Sequence, residues 1–176
     1  MDNGSTCVRV LTEGGRLAVA APYHPAFPDR ARALGGRWDP RRFVWTFDAR
    51  EEAAVRAVLV DIFGEDGSGN VPRVDVRLFI SDWPHPELWL FGRLVLRRPG
   101  RDLPVRPGPG VAILSGEFAR RGGSSKHPEI SCGLSGEVVV IVHDVPLSLA
   151  QRAAERGTFG AQIVSAPEAG GTDAGE

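Results

Sequence analysis

The chain has 176 residues, 42% of them apolar, with 21 basic and 22 acidic residues for a net charge of −1. That length suits one or two small domains with a packed core, and the balanced charge excludes a histone-like, wholly basic chain. The longest apolar runs, such as Val138 to Val142, fall far short of the roughly 20 residues that a membrane helix needs, and the polar start Asp2-Asn3-Gly4-Ser5-Thr6 lacks a secretory core. A cytoplasmic protein with no membrane contact is expected, its two cysteines, Cys7 and Cys132, reduced and too few for a disulfide framework.

In chain order, Val8 and Val10 open an apolar alternation, Gly14-Gly15 marks a tight turn, and Leu17, Val19 and Ala21 alternate again, which predicts a β-hairpin. From Pro25 to Leu34, Phe27, Ala31 and Leu34 recur at helical spacing, with Pro28 in the first turn and Gly35-Gly36 as the stop. Phe43, Trp45 and Phe47 alternate as a strand. Asp48 followed by Glu51 then resembles a capping box, and Val55, Val58, Leu59, Ile62 and Phe63 share one helical face up to Gly64. The order is β-β-α-β-α over 7–64. Residues 65–72 are polar and rich in glycine and read as a linker. Beyond it, strands are predicted at Val74 to Ile80, Glu87 to Leu96, Gly110 to Leu114, Glu137 to His143 and Phe159 to Val164, with one helix over Pro146 to Arg156. The expected fold class is α+β: a small β-β-α-β-α module, then a β-rich domain with one helix over 73–165, then a disordered tail over 166–176.

Charge is unevenly spread. Between Arg93 and Lys126 lie eight basic residues against Asp102 and Glu117, a local excess of +6. Every basic residue in the chain except Lys126 is arginine, whose planar fork suits phosphate, although a GC-rich genome accounts for the same bias with no binding role. Arg97, Arg98, Arg101, Arg106, Arg120, Arg121 and Lys126 are therefore candidate nucleic-acid ligands. Within this segment, Arg120-Arg121-Gly122-Gly123-Ser124-Ser125-Lys126-His127 has the makings of an anion-binding nest, or of a plain surface loop, and lacks the order of a Walker A motif.

The most specific stretch is Tyr23-His24, then Ala33-Leu34-Gly35-Gly36-Arg37-Trp38-Asp39-Pro40, then Val44-Trp45-Thr46-Phe47. It resembles the HARP domain and its short bacterial relatives over about residues 8–64, a third of the chain. In the larger eukaryotic proteins that module accompanies a motor that reanneals single-stranded DNA, and the bacterial relatives sit on plasmid- and phage-encoded DNA-handling proteins. The resemblance implies nucleic acid or a nucleoprotein partner and a mobile-element setting. Where family members commonly place a lysine just before the second tryptophan, this chain has Arg41, Arg42, Phe43 and Val44. Arg37, Trp38, Arg41 and Arg42 are accordingly candidate ligands at a rim that grips phosphate and stacks a base. Size and phase favour core positions for Trp45 and for Trp38, and the three arginines also fit a solvated turn.

Signals for catalysis are sparse: His143-Asp144, and Ser124 with His127, supply suitable atoms, but strand neighbours point to opposite faces and no activating third group is legible. The four histidines and two cysteines have no metal-ligand spacing, and no cofactor motif is found. Trp83, Trp89 and Phe91 have the makings of an exposed aromatic patch, yet Trp89 and Phe91 share one strand phase and are expected to fill the second core. The sequence thus points to a non-enzymatic module that binds single-stranded DNA or RNA, or a nucleoprotein complex. The nearly neutral total charge keeps a second class open, an inhibitor of the anti-defence kind that docks on a bacterial nucleoprotein machine.

Overall fold

The computed structural model describes residues 7–69, 71–119, 126 and 130–164, so Arg120, Arg121 and the tail expected to be disordered lie outside the described residues. The fold is α+β, with three sheets and three α-helices among the described residues. The N-terminal half opens with the expected hairpin, β1 (Arg9–Glu13) and β2 (Arg16–Ala20), turned by Gly14 and Gly15, both at positive φ. Helix α1 (Phe27–Ala33) follows, then β3 (Arg37–Asp39), β4 (Val44–Asp48), a short 3₁₀ turn at Ala49–Glu51 and α2 (Glu52–Phe63). The Asp48 carboxylate accepts the Arg50 backbone N–H at 3.0 Å and so starts the helical segment, while Gly64 in the left-handed region ends it.

These strands make one antiparallel sheet in the order β1-β2-β4-β3. Register places Val10, Val19, Trp45 and Trp38 in one row across all four strands, and Thr12, Leu17 and Phe47 in the next. Both rows face the helices, where Phe27, Ala31, Val55, Leu59, Ile62 and Phe63 close the core. Burying each of the larger side chains stabilises the unit by about 1.5–3 kcal/mol. The alternate row, Leu11, Ala18, Thr46 and Arg37, lies on the opposite face.

The C-terminal half carries a second cluster built on the sheet β11-β5-β10-β9. Its strands are β5 (Arg73–Ile80), β9 (Val111–Ser115), β10 (Val138–Pro146) and β11 (Gln162–Val164), with α3 (Leu147–Glu155) packed on it through Leu149, Ala150 and Ala153. A third sheet joins β6 (Glu87–Leu90), β7 (Arg93–Arg97) and β8 (Arg106–Pro107). One expectation is corrected here: Glu87 to Leu96 is not a single strand but a hairpin with the two-residue turn Phe91-Gly92, both residues at positive φ. That backbone is the geometry of a primed turn, normally signalled by Asn-Gly. Phe91 adopts it because its ring is buried in the core.

The two halves meet at the end of α2. A side chain at Gly64 would collide with Pro146 Cβ at 2.7 Å and Leu149 Cγ at 2.8 Å, and one at Gly92 would meet the Ile62 carbonyl at 2.9 Å. Asp61 pairs with both Arg30 of α1 and Arg152 of α3, and the bond from Arg30 above all holds its carboxyl below the usual range. Residues 65–72 run along the same seam. Glu65 accepts the Val8 N–H at 3.0 Å and pairs with Arg73 at 2.6 Å, and the Asp66 carbonyl accepts from Arg56 at 2.7 Å.

Candidate nucleic-acid interface

Row geometry explains how an aromatic cleft arises. Trp45, on the inner strand β4, is roofed by α1 through an edge contact with Phe27 at 6.1 Å and is 8% exposed. Trp38 stands beside it on the edge strand β3, at 5.7 Å between rings, but α1 has only seven residues and does not cover it; Trp38 is 40% exposed. The expectation of a core position for Trp38 is thereby corrected, while Trp45 is core as expected.

The β3–β4 loop adds a third ring. The Asp39 carboxylate accepts the backbone N–H groups of Arg41 and Arg42, at 2.9 and 3.2 Å, and forces a tight turn that leaves Phe43 at φ +55°. Phe43 is therefore a turn residue and not the first of the strand alternation. A bulky residue in the left-handed region costs about 1–2 kcal/mol, and this one is 59% exposed, so burial does not repay it. Its ring lies edge-on to Trp38 at 6.4 Å.

On the other side, Tyr23 and His24 follow β2, and Pro28 and Arg32 lie one helical turn apart on α1. Together with Trp38, Phe43 and Trp45 they line an open cleft of about 570 Å³, within the size range of small-ligand sites. The Arg32 guanidinium sits 5.6 Å from the Trp45 ring centre, a cation–π arrangement, and also pairs with Asp29. Tyr23 is 60% exposed and rests edge-on against Trp89 of β6 at 5.7 Å, as does His24 at 5.5 Å. Burial pulls the His24 pKa below its ordinary value, so the ring is neutral, and its Nδ1 accepts the Ala26 N–H at 3.2 Å.

The candidate arginines meet different fates. Arg37 neighbours Trp38 on β3 and so lies on the opposite face of the sheet, exposed but outside the cleft, which corrects the expectation that the two act together. Arg41 is exposed with no acidic partner among the described residues, whereas Arg42 pairs with Glu13 at 3.1 Å. Most of the described basic residues of the 93–126 segment are spent on internal contacts. Arg97 pairs with Glu87 and Arg101 with Asp102, both at 3.1 Å. Arg98 is 6% exposed and donates to the carbonyls of Ala119 at 2.7 Å and Leu103 at 3.4 Å, so it is corrected from a surface ligand to a buried loop tie. Arg106 and Lys126 remain exposed. Arg93 donates to the His143 and Asp144 carbonyls at 3.1 and 2.9 Å.

His143 has a partner the sequence does not reveal. On β10, His143 and Asp144 together oppose Asp75 of β5, a β-bulge with Asp144 at φ +58°. Asp75 takes His143 Nδ1 at 2.7 Å and the Asp144 N–H at 3.1 Å. Burial raises the Asp75 pKa, yet these bonds outweigh it and hold the carboxyl below its usual range. The pair pins the bulge. Cys132 is buried, and burial pushes its thiol pKa up, away from reactivity.

Of the residues named from the sequence, Trp38 lines the cleft while Arg41 and Arg42 do not, and Arg32 and Phe43, which do, were missed. The signal for Arg32 was its spacing of four from Pro28 on the predicted helix, on the side of the Tyr23-His24 pair. Among the described residues no helix is long and apolar enough to cross a membrane. Comparison of the chain with protein-family models, with curated proteins and with solved structures finds no match.

Proposed function

We propose that the chain is a non-enzymatic binding module for single-stranded nucleic acid, free or within a nucleoprotein complex, and that the aromatic cleft of its N-terminal half is the contact surface. The observation that carries this reading is the exposure of Tyr23, Trp38 and Phe43 around one cleft with Arg32 over the Trp45 ring at its edge. Aromatic faces that stack bases contribute about 1–3 kcal/mol per base and tolerate any sequence. The resemblance of residues 8–64 to the HARP domain supports the same reading, and the mobile-element setting rests on that resemblance alone.

Fluorescence anisotropy of a labelled single-stranded oligonucleotide, titrated with the full chain at several salt concentrations, tests the proposal. If Arg32 and Arg41 each neutralise one phosphate, the log–log salt slope is about −1.4, at about −0.7 per phosphate. Trp38→Ala weakens binding about tenfold without changing the slope. A second reading, docking on a protein partner, is favoured by the internal pairing of Arg42, Arg97 and Arg101. Absence of binding to any oligonucleotide decides for that alternative.

A further inference from the structure

We propose that the cleft selects bases that present a carbonyl oxygen on their outer edge, thymine, uracil and guanine, over cytosine and adenine, which present an amine there. The inference rests on the nucleic-acid reading and deepens it. Its basis is the polarity of the lining. Among the described residues the indole N–H groups of Trp38 and Trp45 have no protein acceptor. Among the described residues the sealed side-chain polar atoms left unpaired are Arg77 Nε and Arg98 Nε, so the Trp45 N–H, though on a buried residue that lines the cleft, is not sealed from solvent. His24 accepts the Ala26 N–H on Nδ1, which places the proton of the neutral ring on Nε2 as a further donor. Arg32 gives one amino group to Asp29 and keeps the rest of its fork. No lining side chain is a carboxylate, an amide or an aliphatic hydroxyl; with His24 Nδ1 already bonded, the Tyr23 hydroxyl is the one lining side chain left to accept, and it also donates.

A lining whose side chains offer mostly donors satisfies carbonyl oxygens and leaves an exocyclic amine facing other donors, with its hydrogens poorly paired in a partly dry site. The Arg32 fork is also of the type that pairs with the O6 and N7 of guanine.

The test is titration of the full chain, followed by tryptophan fluorescence at constant salt and pH 8, with two oligonucleotides of equal length and charge, all-thymidine and all-deoxycytidine. An all-adenine strand and an all-hypoxanthine strand repeat the contrast on purines. The expected preference for the carbonyl-bearing strand is about tenfold in each pair. In His24→Phe and Arg32→Leu the preference falls towards one, while stacking on the remaining rings keeps binding measurable; a melting curve on each variant verifies that it is folded. Equal affinities in the unaltered protein, or a preference unchanged in both variants, overturn the inference and leave the nucleic-acid reading standing. Failure to bind any strand overturns that reading itself.

Discussion

The two halves of the molecule use tryptophan in opposite ways. In the C-terminal half both indole N–H groups are bonded by one residue, Trp83 donating to the Glu87 carbonyl at 3.0 Å and Trp89 to its carboxylate at 2.9 Å. In the N-terminal half neither Trp38 nor Trp45 has an acceptor among the described residues, and one wall of their surroundings is open. Arginine divides in a similar way. Arg93 and Arg98 are tied to backbone carbonyls, whereas Arg32 stacks over a ring at the edge of a cleft. Satisfaction of polar groups, more than burial, separates the side chains that build this protein from those left over for a ligand. The halves nevertheless touch at the cleft, because Trp89 supports Tyr23 and His24 and its carboxylate partner Glu87 also holds Arg97.

The largest expected effect tests whether the paired tryptophans really differ. Trp45→Ala removes a ring packed on Phe27 in the first core and should destabilise the protein by about 3–5 kcal/mol in urea unfolding. Trp38→Ala, on the edge strand, should cost under about 1 kcal/mol while it weakens oligonucleotide binding. Equal losses of stability in the two variants would erase the distinction between core and cleft ring.

A second variant sharpens the contrast by moving stability and binding in opposite directions. Phe43 holds a left-handed backbone at an exposed turn, so Phe43→Gly should raise stability by about 1 kcal/mol, the strain relieved outweighing the entropy that glycine adds to the unfolded chain. Loss of the ring should at the same time weaken binding. A Phe43→Gly protein that is less stable, measured by the same urea titration, would show the ring to be a packing element like Phe91, which adopts the same kind of backbone but is buried.

How much of this is legible in the sequence depends on the range over which each feature is decided. Alternation and punctuation locate the 9–20 hairpin, α2 between Asp48 and Gly64, and the long strand β10, because local periodicity and turn chemistry fix them. The Phe91-Gly92 turn is hidden, since its left-handed phenylalanine is held by the core and not by local preference. Strand β3, three residues long, is too short to show a period, and with it goes the fact that Arg37 and Trp38 face apart. Trp38 escapes burial only because β3 is an edge strand and α1 is short, which no spacing reveals. The Asp75–His143 pair spans 68 residues and exists because a bulge sets two residues against one.

The smallest effect is a pH dependence that assigns a state to the ring between the halves. His24 is lodged between Phe63, at 6.1 Å, and Trp89, at 5.5 Å, and burial lowers its pKa from the model-peptide value of 6.5. The unfolded chain therefore binds a proton at a higher pH than the folded one does. Between the lowered folded value and 6.5 the unfolded state carries more protons, so stability rises with pH across that window and levels off above it. The contribution of His24 is complete above about pH 6.5 and is lost as the pH falls below it. Protonation also removes the lone pair on Nδ1 that accepts the Ala26 N–H, a change in the same direction. Urea unfolding of the unaltered protein and of His24→Phe at pH 8, 7, 6 and 5 isolates the effect. Groups common to both proteins cancel in the difference, which should shift in favour of the variant as the pH drops below 6.5. A difference independent of pH would place the His24 ring in solvent and detach the cleft wall from the second half of the molecule.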